Sequence, residues 1–138
     1  MSAAFRFRFP IRVRYAEVDP QQVVFNSRYL EYADVAVTEY WRAMALRPGD
    51  ADWPESHVGS ASVRFIKPIR LDEMIETRSR IERLGTASMT YSIELHGTEA
   101  DDLRATIELI AVHVDLATGG SQPLPEGFKA RVRAFQGD

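Results

Sequence analysis

The chain has 138 residues, of which 45% are hydrophobic and 27% are charged, and it contains no cysteine. This length predicts one domain spanning residues 1–138. The absence of cysteine excludes disulfides, thiolate metal sites and a cysteine nucleophile. The 17 Lys and Arg residues against 20 Asp and Glu residues give a formal net charge of −3, which argues against a general nucleic-acid-binding protein.

No stretch of the sequence approaches the ~18 consecutive apolar residues of a membrane helix. The first 15 residues carry arginine at positions 6, 8, 12 and 14, which is incompatible with the apolar centre of a signal peptide. We therefore expect a soluble, cytoplasmic protein without a membrane partner.

The first predicted element is a strand over residues 5–15, where apolar and arginine side chains alternate. A period of two is typical of a half-buried strand, and Pro10 indicates an edge position or a bulge. The apolar face carries Phe5, Phe7, Phe9, Ile11, Val13 and Tyr15. The arginine face is expected to be solvated, with an anion-binding site as the alternative.

A long amphipathic helix is predicted over residues 28–46, after an irregular polar segment in which Asp19-Pro20 opens a turn. Apolar residues recur in the helix at intervals of three and four, and Pro48-Gly49 ends it. Because few of its positions are polar, we expect this helix to pack on more than one side.

The rest of the chain is predicted to be mostly strand. The predicted strands are residues 57–67, 73–83, 86–96 and 103–116, and a short helix begins near residue 126. The last strand is the most apolar, as expected of a central strand. Short connections favour antiparallel pairing, and only the long helix can cover the buried face of the sheet. We therefore predict an α+β fold in which a curved antiparallel sheet of about five strands wraps around one helix.

Several familiar catalytic arrangements are missing from the sequence. It has no serine nucleophile elbow and no glycine-rich phosphate loop. His57, His96 and His113 fall on three different predicted strands, which favours packed or surface histidines over metal ligands.

The segment from Glu17 to Tyr29 is the best candidate for chemistry, because it holds two carboxylates and an amide just before a helix. The N-terminus of a helix offers unpaired N–H groups that can stabilise the oxyanion of an acyl transfer. A nearby carboxylate could activate water or attack a carbonyl. The alternative is that Asp19 only closes a turn.

This segment resembles the signature of hotdog-fold acyl-CoA thioesterases of the 4-hydroxybenzoyl-CoA thioesterase type. Glu17 and Asp19 match its two acids, Asn26 matches a position held by His or Asn, and Tyr29-Leu30 match the start of the long helix. Similarity continues through Ser62–Ile69, Arg83–Ser88 and Val114–Gly119. The chain departs from the signature in carrying Gln22 where the family usually has Gly, and Phe25-Asn26 where many members have Tyr-His.

The resemblance implies a hotdog fold and hydrolysis of an acyl-CoA or acyl-carrier thioester, without a cofactor or metal. Asp19 would act as general base or nucleophile, Asn26 would orient water or the carbonyl, and N–H groups near Val24–Ser27 would polarise the oxygen. The site would lie between two copies of the chain, in a homodimer or a dimer of dimers. The implied substrate-binding residues are Gln22, Val24, Phe25, Ser27, Tyr29, Arg64, Lys67 and Arg83.

Some interpretations stay open. Arg64, Lys67, Arg70, Arg80 and Arg83 are candidates for binding nucleotide phosphates, or ordinary surface charges. Trp41, Met44, Met74, Met89 and Tyr91 either line an acyl pocket or belong to the core.

Two other functions also stay open. A non-catalytic acyl-thioester binder is favoured if Gln22 blocks the groove. A hydratase or dehydratase would need a histidine beside Asp19, and His57 is the candidate.

Overall fold

The computed structural model describes residues 5–138, in which one five-stranded antiparallel sheet accompanies two α-helices. The elements are β1 (Phe7–Arg12), a 3₁₀ turn (Tyr15–Glu17), α1 (Arg28–Ala43), β2 (Ser56–Phe65), β3 (Met74–Leu84), β4 (Ser88–His96), β5 (Leu103–His113) and α2 (Glu126–Gln136). Residues 1–4 of the predicted domain lie outside the described residues. The predicted α+β architecture, with about five strands and one long helix, is confirmed.

The strands lie in the order β1-β3-β4-β5-β2, and all neighbours are antiparallel. The apolar β5 is paired on both sides, as predicted for a central strand. Pro10 lies in the edge strand β1, opposite Glu76, where its missing N–H costs least. β2 does not pair with the strand that follows it; it forms the second edge of the sheet, beside β5.

The inner face of the sheet forms the core with α1. The predicted alternation is confirmed: Ile75, Thr77, Ser79 and Ile81 of β3, and Met89, Tyr91, Ile93 and Leu95 of β4, are all buried. Tyr40 of α1 packs edge-to-face against the rings of Phe7, Tyr91 and Phe135. Each such buried apolar side chain stabilises the fold by roughly 1.5–3 kcal/mol, so this face is what holds helix and sheet together.

Strand β1 ends at Arg12, three residues earlier than predicted, and Tyr15 is 82% exposed instead of buried. The cause is a local polar contact. The backbone N–H of Arg14 donates to Glu17 Oε1 at 2.8 Å, which closes a turn and interrupts the alternation. Hydrophobic periodicity alone could not predict a turn that is closed by a hydrogen bond between a side chain and a backbone N–H three residues earlier.

Helix α1 also ends early, at Ala43 rather than residue 46. Ala45 adopts a positive φ of 56°, and the N–H of Leu46 bonds back to the carbonyl of Trp41 at 3.0 Å. This geometry is that of a left-handed helix C-cap. Leu46 is buried although it is no longer helical, and the helix ends before Pro48-Gly49, from which its end was predicted.

One side of the chain leaves apolar side chains exposed. Leu30 and Val35 of α1 are exposed, although the helix packs against β1, β3 and β4. Along the edge strand β2, Val58 is 62% exposed and Phe65 is 53% exposed. An edge strand with free backbone groups and exposed apolar side chains is a surface on which another strand can pair.

Helix α2 is attached to the sheet through the buried side chain of Gln136. Its Oε1 accepts hydrogen bonds from the Tyr40 hydroxyl at 2.6 Å and from the Ile81 N–H at 2.5 Å, and its Nε2 donates to the Ile81 carbonyl at 3.0 Å. Strand β1 begins opposite Ser79, so the amide of Gln136 continues the ladder where β1 no longer reaches.

We predict that Gln136→Leu lowers the free energy of unfolding by about 2 kcal/mol or more, because it strands a buried hydroxyl and both backbone groups of Ile81. Urea unfolding measures this change. The control is Gln122→Leu, whose side chain makes no hydrogen bond within residues 5–138 and which should change stability by less than about 0.5 kcal/mol. Equal effects of the two variants would contradict the assignment.

Candidate active site

The segment before α1 folds into a small hairpin with Asp19 at its turn. Val18 and Val24 form an antiparallel bridge, and the N–H of Asp19 donates to the carbonyl of Val23 at 2.9 Å. Gln22 closes the turn with a positive φ of 62°, a conformation that favours glycine. Glycine, which the related signature usually has there, adopts such a left-handed backbone freely, and Gln22 adopts it with an exposed side chain.

The two carboxylate oxygens of Asp19 differ in their surroundings. Oδ1 accepts the N–H of Gln21 at 2.8 Å and that of Val23 at 3.5 Å, so the turn-closing role considered from the sequence is present. No residue in the described range 5–138 donates a hydrogen bond to Oδ2. Asp19 also lines an open depression of about 470 Å³, here called the Asp19 cavity, with Tyr15, Ala16, Val18, Pro20 and Gln22. One oxygen is therefore anchored by the turn, while the other makes no hydrogen bond within residues 5–138.

Two of the four amides expected to face a ligand, within Val24–Ser27, are used inside the chain. The N–H of Val24 donates to the carbonyl of Ile69 at 2.7 Å, and the N–H of Phe25 donates to the carbonyl of Glu17 at 3.0 Å. These bonds position the hairpin against its neighbours, so neither amide is available to polarise a carbonyl oxygen.

The other two amides lie at the start of α1. Ser27 is the N-cap residue and makes no side-chain cap bond. Within the described part of the chain, the N–H groups of Asn26 and Ser27 have no acceptor, and both residues are exposed. Unpaired N–H groups at the positive end of a helix dipole can bind an oxyanion.

The carboxylate of Glu17, the first acid of the signature, is buried and holds the hairpin to α1. Arg14 donates to it from the backbone N–H and, at 3.0 Å, from Nε, and the Tyr32 hydroxyl donates at 2.8 Å. Burial alone would raise the pKa of this carboxyl, but these hydrogen bonds and the charge of Arg14 outweigh it and hold the pKa below its ordinary value. Burial and the neighbouring carboxylate raise the pKa of Tyr32.

The segment that carries Ile69 is in turn fixed by Arg104. Its guanidinium donates to the Pro68 carbonyl at 2.9 Å, to both oxygens of Glu73 and to both oxygens of Asp102. Hydrogen bonds from Arg104 hold the pKa of both carboxyls below their ordinary values. The strand-to-strand connection on which the hairpin rests is thus held by a charged network.

The cationic residues predicted to bind substrate do not converge in one chain. Lys67 lies 3.5 Å from Asp102, and Arg64 is exposed on β2. Arg83 is at the far end of β3, roughly 30 Å along the strand from the hairpin. Arg80 is buried and forms an ion pair with Asp138. Arg70 alone among these residues adjoins the hairpin, through a bridge to Val23.

Of the two aromatic residues predicted to contact substrate, Phe25 is half exposed and Tyr29 is buried. The Tyr29 ring packs edge-to-face on Phe65 with centroids 4.7 Å apart, and burial raises the pKa of its hydroxyl. Phe25 is therefore the one whose surface a ligand can reach.

The three histidines are dispersed, as expected from the sequence. His57 is the second residue of β2, roughly 25 Å along the strand from the end nearest the hairpin, so it is not beside Asp19 within one chain. His96 pairs with Glu94 at 2.8 Å, and His113 contacts a backbone carbonyl at 2.7 Å. The described residues contain no cluster of three His, Asp or Glu side chains that could hold a metal ion.

A second cavity of about 340 Å³, here called the apolar cavity, lies between α1 and the inner face of the sheet. Leu30, Asp34, Val37 and Trp41 of α1 line it at spacings of four, three and four residues, which is one helix face. The sheet contributes Ser56, Val58, Ala61, Met89, Tyr91, Leu109 and Ala111. The sequence shows this helical spacing. Which face of α1 the sheet leaves uncovered depends on the tertiary structure and cannot be predicted from the spacing.

Three of the five residues considered for an acyl pocket therefore line this cavity, namely Trp41, Met89 and Tyr91. Met44 and Met74 do not. Within the wall, the indole N–H of Trp41 donates to the Tyr91 hydroxyl at 2.9 Å.

A family model described as the thioesterase-like superfamily matches residues 13–132. The chain belongs to this superfamily. The hotdog thioesterase family that the sequence resembles is thus confirmed, and the match includes the hairpin, α1 and the whole of β2–β5.

Curated relatives and solved structures agree with this assignment. The acyl-CoA thioester hydrolase YbgC of Escherichia coli O6:H1 is 26% identical over 92% of this chain and 96% of its own. The acyl-CoA thioesterase YbgC of Haemophilus influenzae is 24% identical over 90% and 92%.

Two solved structures have the same fold. A 1,4-dihydroxy-2-naphthoyl-CoA thioesterase from Synechocystis has a TM-score of 0.82 at 18% identity, over 91% of this chain and 94% of its own. A Thermus thermophilus thioesterase complexed with coenzyme A and Zn has a TM-score of 0.83 at 24% identity, over 95% and 94%.

Neither helix of residues 5–138 is both long and apolar enough to cross a membrane.

We predict that Glu17→Gln lowers the free energy of unfolding by about 1–3 kcal/mol at neutral pH, because the charged acceptor of three donors is lost. The folded-state pKa of Glu17 is lowered from 4.5, so its contribution is present above pH 4.5 and is lost as the pH falls below that value. Urea unfolding at several pH values should therefore show wild type and variant converging in acid.

The control for this experiment is Glu126→Gln, an exposed acid in the first turn of α2. Its stability should follow that of wild type at every pH. A difference between wild type and Glu17→Gln that stays constant with pH would contradict the role given to the Glu17 charge.

Proposed function

We propose that the protein hydrolyses an acyl-CoA or acyl-carrier thioester to the free acid and thiol. The observation that carries this proposal is the arrangement on one hairpin: Asp19 has a free carboxylate oxygen, and the unpaired N–H groups of Asn26 and Ser27 follow at the start of α1. The names of the curated relatives, both acyl-CoA thioester hydrolases, support the substrate class.

The proposed chemistry needs few groups. The thioester carbonyl oxygen accepts hydrogen bonds from the Asn26 and Ser27 amides, whose positive helix end stabilises the oxyanion as it forms. Asp19 either removes a proton from the attacking water or attacks the carbonyl carbon itself, and the Asn26 side chain orients water or the carbonyl. The thiolate leaves without a strong general acid, because the conjugate thiol has a pKa of about 8.5.

We further propose that the site is shared between two copies of the chain, in a dimer or a dimer of dimers. In one chain the Asp19 cavity and the apolar cavity share no lining residue. The apolar cavity opens toward the edge strand β2, where Val58 is exposed. Two-fold pairing of β2 with its copy would cover this edge, close the cavity and form a groove between the two copies.

We also propose that exposed cationic side chains near this groove bind the nucleotide part of an acyl-CoA substrate. Arg70 adjoins the hairpin, and Arg64 and Lys67 lie on β2 and in the connection after it. Gln22 and Phe25 are exposed on the hairpin, where a thioester ligand can contact them.

We predict that Asp19→Asn lowers kcat for acyl-CoA hydrolysis by at least about a hundredfold, because the amide closes the turn but neither takes a proton nor attacks. Asn26→Ala should lower kcat by about tenfold, since it removes one orienting hydrogen bond but keeps the backbone N–H. A screen of short, long and aromatic acyl-CoAs first identifies a substrate, and steady-state kinetics then compare the variants.

The matched control is Asp115→Asn. Asp115 accepts the N–H of Ala117, two residues later, at 2.9 Å, and Asp19 accepts the N–H of Gln21 in the same way. Asp115 lies far along the chain from the hairpin. If Asp19 only closes a turn, the two variants will behave alike, with near-normal turnover. Tight coenzyme A binding by wild type without turnover of any acyl-CoA would favour the non-catalytic binder instead.

We predict that the wild-type protein sediments at about twice the mass of a single 15.6 kDa chain or more, and that Val58→Lys shifts it to a single chain. A lysine there places a charged side chain in the apolar surface that the proposed pairing would bury, which would leave the charge desolvated. Sedimentation velocity measures both states. Leu116→Lys, at an exposed apolar residue outside β2, is the control and should leave the mass unchanged. A monomeric wild type would contradict the shared site.

A further inference from the structure

The hydroxyl of Tyr91 is a polar group in the wall of the apolar cavity, and the proposed chemistry does not use it. Tyr91 is only 3% exposed, lies on β4 in the floor of the cavity, and accepts the indole N–H of Trp41 at 2.9 Å. Both residues line the cavity. The hydrogen bond therefore fixes a polar oxygen in a wall that is otherwise almost entirely apolar.

A tyrosine hydroxyl both accepts and donates, and the indole N–H of Trp41 occupies only its acceptor side. Within residues 5–138 no hydrogen bond is donated by the Tyr91 hydroxyl. Its other close aromatic neighbour, Tyr40, uses its own hydroxyl to bind Gln136. Because a buried donor without an acceptor is costly, the O–H of Tyr91 is a group for which a ligand can supply the partner.

The walls of the cavity also restrict the charge of that partner. None of the described residues that line the cavity is cationic, and the one ionisable group besides Tyr91 is the carboxylate of Asp34, on the exposed side of α1. A ligand carboxylate at Tyr91 would be desolvated without a counter-charge and would face a like charge at Asp34. A neutral oxygen, such as a hydroxyl or a ketone, meets neither penalty.

We propose that Tyr91 is a specificity-determining residue that selects acyl groups carrying a neutral oxygen on the acyl chain, beyond the thioester itself. This inference rests on the proposed function, because it takes the apolar cavity as the acyl site. Tyr91 donates its hydroxyl hydrogen to that oxygen, and Trp41 holds the hydroxyl in place. An acyl chain of the same length without the oxygen leaves the Tyr91 donor unpaired, and discrimination follows from that loss.

The test compares saturated acyl-CoAs with hydroxy- and oxo-derivatives of the same length, in which the oxygen is moved along the chain. At one position of the oxygen along the chain, wild type should hydrolyse the derivative with a kcat/KM about tenfold above that for the saturated acyl-CoA of the same length. In Tyr91→Phe this ratio should fall to about one. In Trp41→Phe, which keeps the donor but frees its orientation, the ratio should fall in part.

The matched control is Tyr40→Phe, which also removes a buried hydroxyl from the same side of the core but does not line the cavity. It should keep the wild-type ratio. A ratio near one at every oxygen position in wild type, or a ratio that Tyr91→Phe leaves intact, overturns the proposal even when all the thioesters are hydrolysed.

A second measurement does not depend on turnover. Trp41 lines the cavity and packs on Trp53, the second tryptophan, so the tryptophan fluorescence of the protein should change on binding of the free hydroxy acid and of its parent acid. The hydroxy acid should bind wild type about tenfold more tightly, and Tyr91→Phe should remove the difference. If no thioester is hydrolysed, the proposed function fails, and this binding ratio alone decides the role of Tyr91: equal affinities overturn it.

Discussion

The buried carboxylate of Glu17 is the contact on which the candidate site depends. It accepts hydrogen bonds from Arg14 on one side and from Tyr32 of α1 on the other, while its own carbonyl receives the N–H of Phe25. One residue therefore fixes the end of the first strand, the hairpin and the first turns of the helix relative to one another. Because a buried charge is stable only when its partners stay in place, this part of the chain has little freedom to rearrange.

The edge strand β2 forms one wall of the apolar cavity, through Ser56, Val58 and Ala61. Its two faces are mostly exposed, and its register with β5 shifts between Val58 and Ser60. Helix α1 packs against β1, β3 and β4 and is left open on the side of β2. The same opening leaves Leu30 exposed and gives access to the apolar cavity. The proposed acyl site and the proposed pairing with a second copy both rest on this cavity, which is open at an unpaired strand edge.

Much of this fold could be predicted from the sequence because burial in a sheet alternates. The buried parity of β3 and β4, from Ile75 to Leu95, followed from period two alone. The ends of elements could not be predicted, because Arg14 and Glu17 close a turn through side chains and Leu46 is buried outside a helix. The pairing of β2 with β5 and the hydrogen bond between Trp41 and Tyr91 join residues that are distant along the chain, and periodicity carries no information about such contacts.

The hairpin itself argues for a function beyond its own stability. An asparagine at position 19 would accept the same hydrogen bonds from Gln21 and Val23, so the turn does not need the negative charge that Asp19 brings. Gln22 adopts a left-handed conformation that costs roughly 1–2 kcal/mol and that glycine would adopt freely. A loop stabilised only for folding would avoid the strain and would not need the charge. The proposed catalytic role of Asp19, whose Oδ2 accepts no hydrogen bond within residues 5–138, accounts for the charge, and the strain at Gln22 is part of the turn that holds Asp19 in place.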